Sequence, residues 1–210
     1  GDDIKNHYKV TVHYIGEFVD GTEFDNSYKR NKPFIFQIGI NKVIKGWDLG
    51  LIGMKVGGKR KIKIPPSLAY GKKGIKDIIP PNSFLIFEIK VINIEPPKYK
   101  VISNDELIAL QNNGGKIIDI RTREAVNKTG FIKNSFKITA FDDSGNFKSN
   151  FLEKYESIVL KNDHVILVSQ KGEISAILAN GFVENLNKKN IYSLEGGINS
   201  WISSGNKLYQ

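Results

Sequence analysis

The chain has 210 residues, 40% of them hydrophobic, enough for one large domain or two of about 100 residues each. It has no cysteine, which excludes disulfides, thiolate metal sites and a cysteine nucleophile, and no apolar run near the ~20 residues that a membrane span requires. The formal charge of +9 is unevenly shared: residues 1–100 carry 18 Lys and Arg against 10 Asp and Glu, residues 101–210 carry 13 against 12.

The chain begins Gly-Asp-Asp, and its only methionine is Met54. A tag junction, a disordered leader or a signal peptide would each account for this start; an excised export signal is favoured, which leans to an exported or periplasmic setting with the cytoplasm as the alternative. Usage rich in Ile, Lys and Asn suggests an AT-rich, bacterial genome. Residues 8–15 (YKVTVHYI) alternate and read as a strand, and Asp20-Gly21 is a hairpin-type turn leading to Thr22–Phe24. Asp25 to Lys32 reads as a polar loop, followed by an alternating strand at Phe34–Ile38. Val43-Ile44 leads through Gly46 into Trp47 and a short helix over Gly46–Leu51. Lys59–Ile64 alternates as a strand, with Lys59, Lys61 and Lys63 on one face and Arg60, Ile62 and Ile64 on the other. This basic run has a nucleic-acid reading, but no accompanying motif supports it, and a solvated strand face is favoured. Residues 71–83 form a Gly-, Lys- and Pro-rich loop, and Phe84–Glu95 is a long closing strand. Many short strands with one short helix predict an α+β unit, an antiparallel sheet wrapped on the helix. The histidines at 7, 13 and 164 are scattered, so no metal site is expected.

Residues 8–95 resemble the FKBP family of peptidyl-prolyl cis-trans isomerases. The resemblance is carried in order by VHYIG at 12–16, DGTEFDNS at 20–27, RNKPFIFQIG at 30–39, VIKGWDLGLIGMKVGGKRKIKIP at 43–65, LAYG at 68–71 and IIPPNSFLIFEI at 78–89. It implies a half-barrel sheet curled on a helix, with an active pocket lined by Tyr14, Phe24, Asp25, Phe34, Val43, Ile44, Trp47, Tyr70, Ile79 and Phe87. It also implies proline-containing polypeptide clients and binding of macrolide inhibitors of the rapamycin type. Two rim positions depart: Lys42 stands where the family often has an acidic residue, and Ile75 where a loop histidine is common. The 71–83 loop carries no large insertion of the kind that builds a chaperone flap. For Phe36, alternation with Phe34 leaves core and pocket equally open.

The residue types suit the chemistry. Rotation about an X–Pro amide meets a barrier of ~18–20 kcal/mol set by resonance, and water supports the dipolar planar form. A dry aromatic pocket removes that support without nucleophile, metal or cofactor. Trp47 is assigned as floor, Tyr14, Phe34 and Phe87 as walls, Asp25 and Tyr70 as placed polar groups, and the Ile44 N–H as an anchor.

Glu95-Pro96-Pro97-Lys98-Tyr99-Lys100 reads as a boundary, giving domains at 1–95 and 101–210 with a stiff connector over 96–100. Ser103–Glu106 is a capping-type start for a helix through Leu110. Strands are predicted at Lys116–Ile120, Asp163–Ser169 and Tyr192–Leu194, and helices at Ser175–Asn187 and Ile198–Ser204. Alternation of this kind predicts an α/β unit, a parallel sheet flanked by helices. Roughly over 101–207 it resembles a rhodanese domain, through IDIRTRE at 118–124, GFIKNS at 130–135, VILVSQKGEIS at 165–175 and LEGGINSWISSG at 194–205. Active members begin a loop after the buried strand with a cysteine, whose anionic sulfur is held by backbone N–H groups and basic side chains. Here the loop runs Ser169-Gln170-Lys171-Gly172-Glu173-Ile174. A serine cannot carry a persulfide, Gln170 and Ile174 replace basic residues, and Glu173 adds negative charge, so the domain is expected to be inactive. Asp119 and Arg121 remain, a pair that also has a structural role. The sequence therefore predicts a prolyl isomerase with an auxiliary domain. The alternative is a proline-segment binding module or folding chaperone; a sulfurtransferase is rejected, and neither nucleic acid nor membrane is an expected partner.

Overall fold

A computed structural model describes residues 3–210; the Gly1-Asp2 start, part of the basis for the export expectation, lies outside them. The chain divides into two compact units, Gly1–Pro97 and Lys98–Gln210.

The first unit is a five-stranded antiparallel sheet of β1 (Lys9–Phe18), β2 (Glu23–Asn26), β3 (Phe34–Gln37), β4 (Lys59–Ile64) and β5 (Leu85–Glu95). Its order is β2-β1-β5-β4, and β3 pairs β1 beside β2. β2 takes the Ile15–Glu17 end of β1 and β3 the Lys9–Val12 end, so two short strands share one edge. A register shift between Thr11 and Val12 bends β1 against β5. Period-2 alternation puts Val10, Val12 and Tyr14 of β1 and Leu85, Phe87, Ile89 and Val91 of β5 on the inner face. On β4, Lys59, Lys61 and Lys63 face solvent and Ile64 is buried, the alternation expected from sequence.

The helix α1 (Lys45–Gly50) fills the concave face. It lies close to β4 because Gly46 has no side chain: a Cβ there would collide with the Ile64 side chain. The buried Asp48 carboxylate accepts the Gly39 N–H at 2.8 Å, tying the preceding loop to the helix. Trp47, Leu51 and Met54 complete the core with Ile4 and Ile38.

The second unit is an all-parallel sheet in the order β6-β10-β9-β7-β8. Its strands are β6 (Lys100–Ile102), β7 (Lys116–Asp119), β8 (Phe136–Lys137), β9 (Val165–Val168) and β10 (Ile191–Leu194). The helices are α2 (Asn104–Asn112), α3 (Arg123–Thr129), α4 (Phe151–Ile158), α5 (Glu173–Asn185) and α6 (Gly197–Ser203). β9 and β10 are buried along their whole length, as strands covered on both faces must be. A capping box starts α2: Ser103 Oγ accepts from the Glu106 N–H and Glu106 accepts from the Ser103 N–H. Lys100, expected in the connector, opens β6 instead, and Tyr99 beside it is buried. No helix among the described residues is long and apolar enough to cross a membrane.

Candidate functional site

On the concave face of the first unit, an open cavity of about 160 Å³ is lined by Tyr14, Phe24, Asp25, Phe34, Lys42, Val43, Ile44, Trp47, Tyr70 and Phe87. Nine of the ten expected pocket residues meet there. Ile79 does not: paired backbone hydrogen bonds with Ile75 turn it into the core, where it is 4% exposed. Lys42, read from sequence only as a rim departure, belongs to the lining.

Trp47 is the hub, 3% exposed. Its ring meets Tyr14 at 5.1 Å and Phe87 at 5.2 Å, both edge-on, and Phe34 at 6.1 Å. Such T-shaped contacts suit the ring quadrupoles and fix the walls in place. Phe36, left open by its alternation, is a core residue: it is buried, packs on Trp47 at 5.4 Å and stacks on Phe34. The indole Nε1 is buried without a hydrogen-bond partner among the described residues, an arrangement that costs ~1–3 kcal/mol and calls for an explanation. The Ile44 carbonyl accepts from the Trp47 and Asp48 N–H groups, while its own N–H donates to no described residue.

The polar edge is more developed than the sequence suggested. Asp25 sits in β2 rather than in a loop, and its carboxylate accepts from the Tyr14 hydroxyl and pairs with Arg30. Arg30 also donates to the Tyr14 oxygen at 3.0 Å and lies over the Tyr14 ring. Tyr14 is held from behind by Ser27, whose Oγ accepts the Tyr14 N–H at 2.7 Å. Burial, then the hydrogen bond to Asp25, pushes the Tyr14 phenol up to about 12. Burial works to raise the Asp25 carboxyl, but Tyr14 and Arg30 outweigh it and hold it below the usual carboxylate range. The result is an ionised but compensated carboxylate and a protonated phenol beside a dry aromatic floor. Tyr70 is likewise raised, by burial and then by the Asp25 charge.

The degenerate loop of the second unit joins β9 to α5. Ser169, 3% exposed, accepts the N–H groups of Gly172 and Ser175 at 3.1 and 3.2 Å, and its hydroxyl lies 3.1 Å from that of Ser175. Ser193 donates to the Ser175 hydroxyl at 2.9 Å, closing a buried three-serine cluster. Backbone donors of the kind that hold an anionic sulfur are thus consumed by a neutral hydroxyl. Gln170 bonds Asn199 and accepts from Arg121, while Lys171 and Ile174 are exposed. Arg121 is clamped on Asp119 by two hydrogen bonds of 2.9 and 2.6 Å and also donates to Thr129 and the Gly130 carbonyl. The pair is buried and fully used in holding the loop, a structural role. A larger cavity of about 480 Å³, at the ends of α4 and α5, lies apart from this loop; its Glu156 and Asp163 are paired with Lys188 and Lys116.

A model of the FKBP-type peptidyl-prolyl cis-trans isomerase family matches residues 1–92, and one of the rhodanese-like domain matches residues 103–204. The chain is 49% identical over 88 residues to peptidyl-prolyl cis-trans isomerase FPR2 of Saccharomyces cerevisiae, covering 41% of this chain and 65% of that one. It is 50% identical over 91 residues to peptidyl-prolyl cis-trans isomerase Fkbp12 of Drosophila melanogaster, covering 43% of this chain and 84% of that one. Among solved structures, FkpA from Escherichia coli is 47% identical with a TM-score of 0.43, covering 46% of this chain and 44% of that one. The chain thus spans just under two thirds of the yeast relative. The chain belongs to the FKBP-type peptidyl-prolyl cis-trans isomerase family and carries a rhodanese-like second unit. With no cysteine, that second unit is not a sulfurtransferase.

Proposed function

We propose that the first unit isomerises X–Pro bonds of polypeptide substrates, with the rhodanese-like unit as an auxiliary domain without sulfur chemistry. The observation that carries this reading is the aromatic cavity on Trp47, edged by a compensated Asp25 and a protonated Tyr14. A proline ring placed against Trp47, Tyr14 and Phe87 is removed from water, and the ground-state amide loses the solvent that favours its planar, dipolar form. The twisted transition state loses less, so the differential lowers the barrier. The Ile44 N–H donates to a substrate carbonyl in this reading, while Asp25 and the Tyr14 hydroxyl give the pocket its polar contacts. No bond is made or broken. Macrolides of the FK506 and rapamycin type are the expected competitors, because they fill the same apolar space; four relatives carry FK506 binding in their names.

The test is isomerisation of an Ala-Leu-Pro-Phe peptide by the full chain, followed by NMR exchange between cis and trans resonances. Turnover abolished by rapamycin is expected. Trp47→Ala or Phe87→Ala, checked for an intact fold by amide spectra, should lower kcat/KM at least about tenfold, or ~1.4 kcal/mol of transition-state stabilisation. Rapamycin binding without turnover would make the protein a proline-segment binding module instead. Unchanged turnover in both variants would remove the pocket assignment.

A further inference from the structure

The cavity is open to solvent, so the residues flanking a bound proline pass along its rim. Two charged side chains belong to the lining, Asp25 and Lys42. Asp25 is compensated by Arg30, and Glu23 on the same strand is paired with Lys29 at 2.7 Å. Lys42 is exposed and forms no ion pair with any described residue. The exposed lysine nearest in sequence, Lys45, adds to its field rather than opposing it. The segment that leaves Tyr70, residues 71–83, carries Lys72, Lys73 and Lys76 against the single carboxylate Asp77. A chain entering the cavity therefore meets one uncompensated cation at the lining, and the segment that follows the lining residue Tyr70 carries a positive surplus.

We propose that Lys42 sets a charge preference among substrates, favouring proline segments with Asp or Glu adjacent to the proline over those with Lys or Arg. The inference rests on the isomerase reading above and specifies its substrate class. A substrate carboxylate beside Lys42 gains the attraction of an exposed ion pair, and a substrate ammonium meets like charge. The preference is a rim effect. It acts on whichever flanking residue passes Lys42 and leaves the proline subsite unchanged.

Two peptide series test it with the full chain, one varying the residue before proline and one the residue after it, each with Glu, Gln and Lys. Isomerisation rates come from NMR exchange, so no coupling protease limits the sequences. The expected order in at least one series is Glu above Gln above Lys, by about two- to five-fold per step, the range of one exposed ion pair. Salt near 1 M, where the screening length is ~3 Å, flattens the order. Lys42→Gln collapses it and Lys42→Glu inverts it, each read as a ratio to the Gln peptide of the same variant. Equal rates within both series, or the original order surviving in Lys42→Glu, overturn the inference. Failure of the Gln peptides to isomerise faster than without protein would overturn the isomerase reading itself, and this inference with it.

Discussion

The Tyr14 phenol couples the cavity to pH. Its folded value of about 12 lies above the ordinary ~10 of a free tyrosine, so the folded state holds a proton that the unfolded chain gives up first. The associated stability is complete below pH ~10 and is lost as pH rises through the folded value. Asp25 has the opposite sign: its carboxyl is depressed, so its contribution is present above the ordinary ~3.9 and is lost as pH falls through the folded value. Denaturant midpoints measured from pH 9 to 12 should therefore fall less steeply in Tyr14→Phe than in the native chain. Identical slopes would show that the phenol is not coupled to folding. At this scale the sequence was uneven. Trp47, Tyr14 and Phe87 were named through the family motifs, since a buried aromatic by itself reads equally as a core residue. Arg30 did not, although it lies only five residues after Asp25: periodicity says nothing about a long side chain folding back from a turn. Ile79 is tied by two backbone bonds to Ile75, a constraint that residue type does not show.

The β9–α5 loop shows how a site is retired at the level of an element. Its backbone still points N–H groups at position 169, and the Ser175 and Ser193 hydroxyls close round what they hold. Restoring a thiol alone leaves Gln170, Glu173 and the exposed Ile174 in place, with no basic side chain but Lys171 in the loop. Ser169→Cys should therefore give no thiosulfate–cyanide turnover; measurable turnover would mean that the backbone cradle suffices. Strands β1, β4 and β5 were legible because each has one buried face and hence a period of two. Other elements were silent. β8 has two residues, too few for any period, and α3 carries only Ala125 and Val126 as apolar side chains. α4 has helical apolar spacing at Phe151, Tyr155 and Ile158, but Asn150 makes no side-chain cap, so no start signal precedes it.

Each unit has its own core, one around Trp47 and β5, the other around β9 and β10. Chains with separate cores fold as separate units. Residues 1–97 alone should therefore be soluble and isomerise a short peptide within about twofold of the full chain. An aggregated or inactive fragment would show that the first core depends on the second unit. Pro96-Pro97 ends the first unit, and the start of the second sheet has no signal in the sequence, because three residues from Lys100 are too few to read as a strand.

Met54 belongs to the first core at 4% exposure, and the chain has no other sulfur atom. The usual targets of peroxide and hypochlorite, thiolates and accessible thioethers, are therefore missing from the surface. The three-serine cluster holds its loop with hydroxyls that neither oxidise nor exchange. Thiol oxidation and disulfide exchange therefore have no target in this chain.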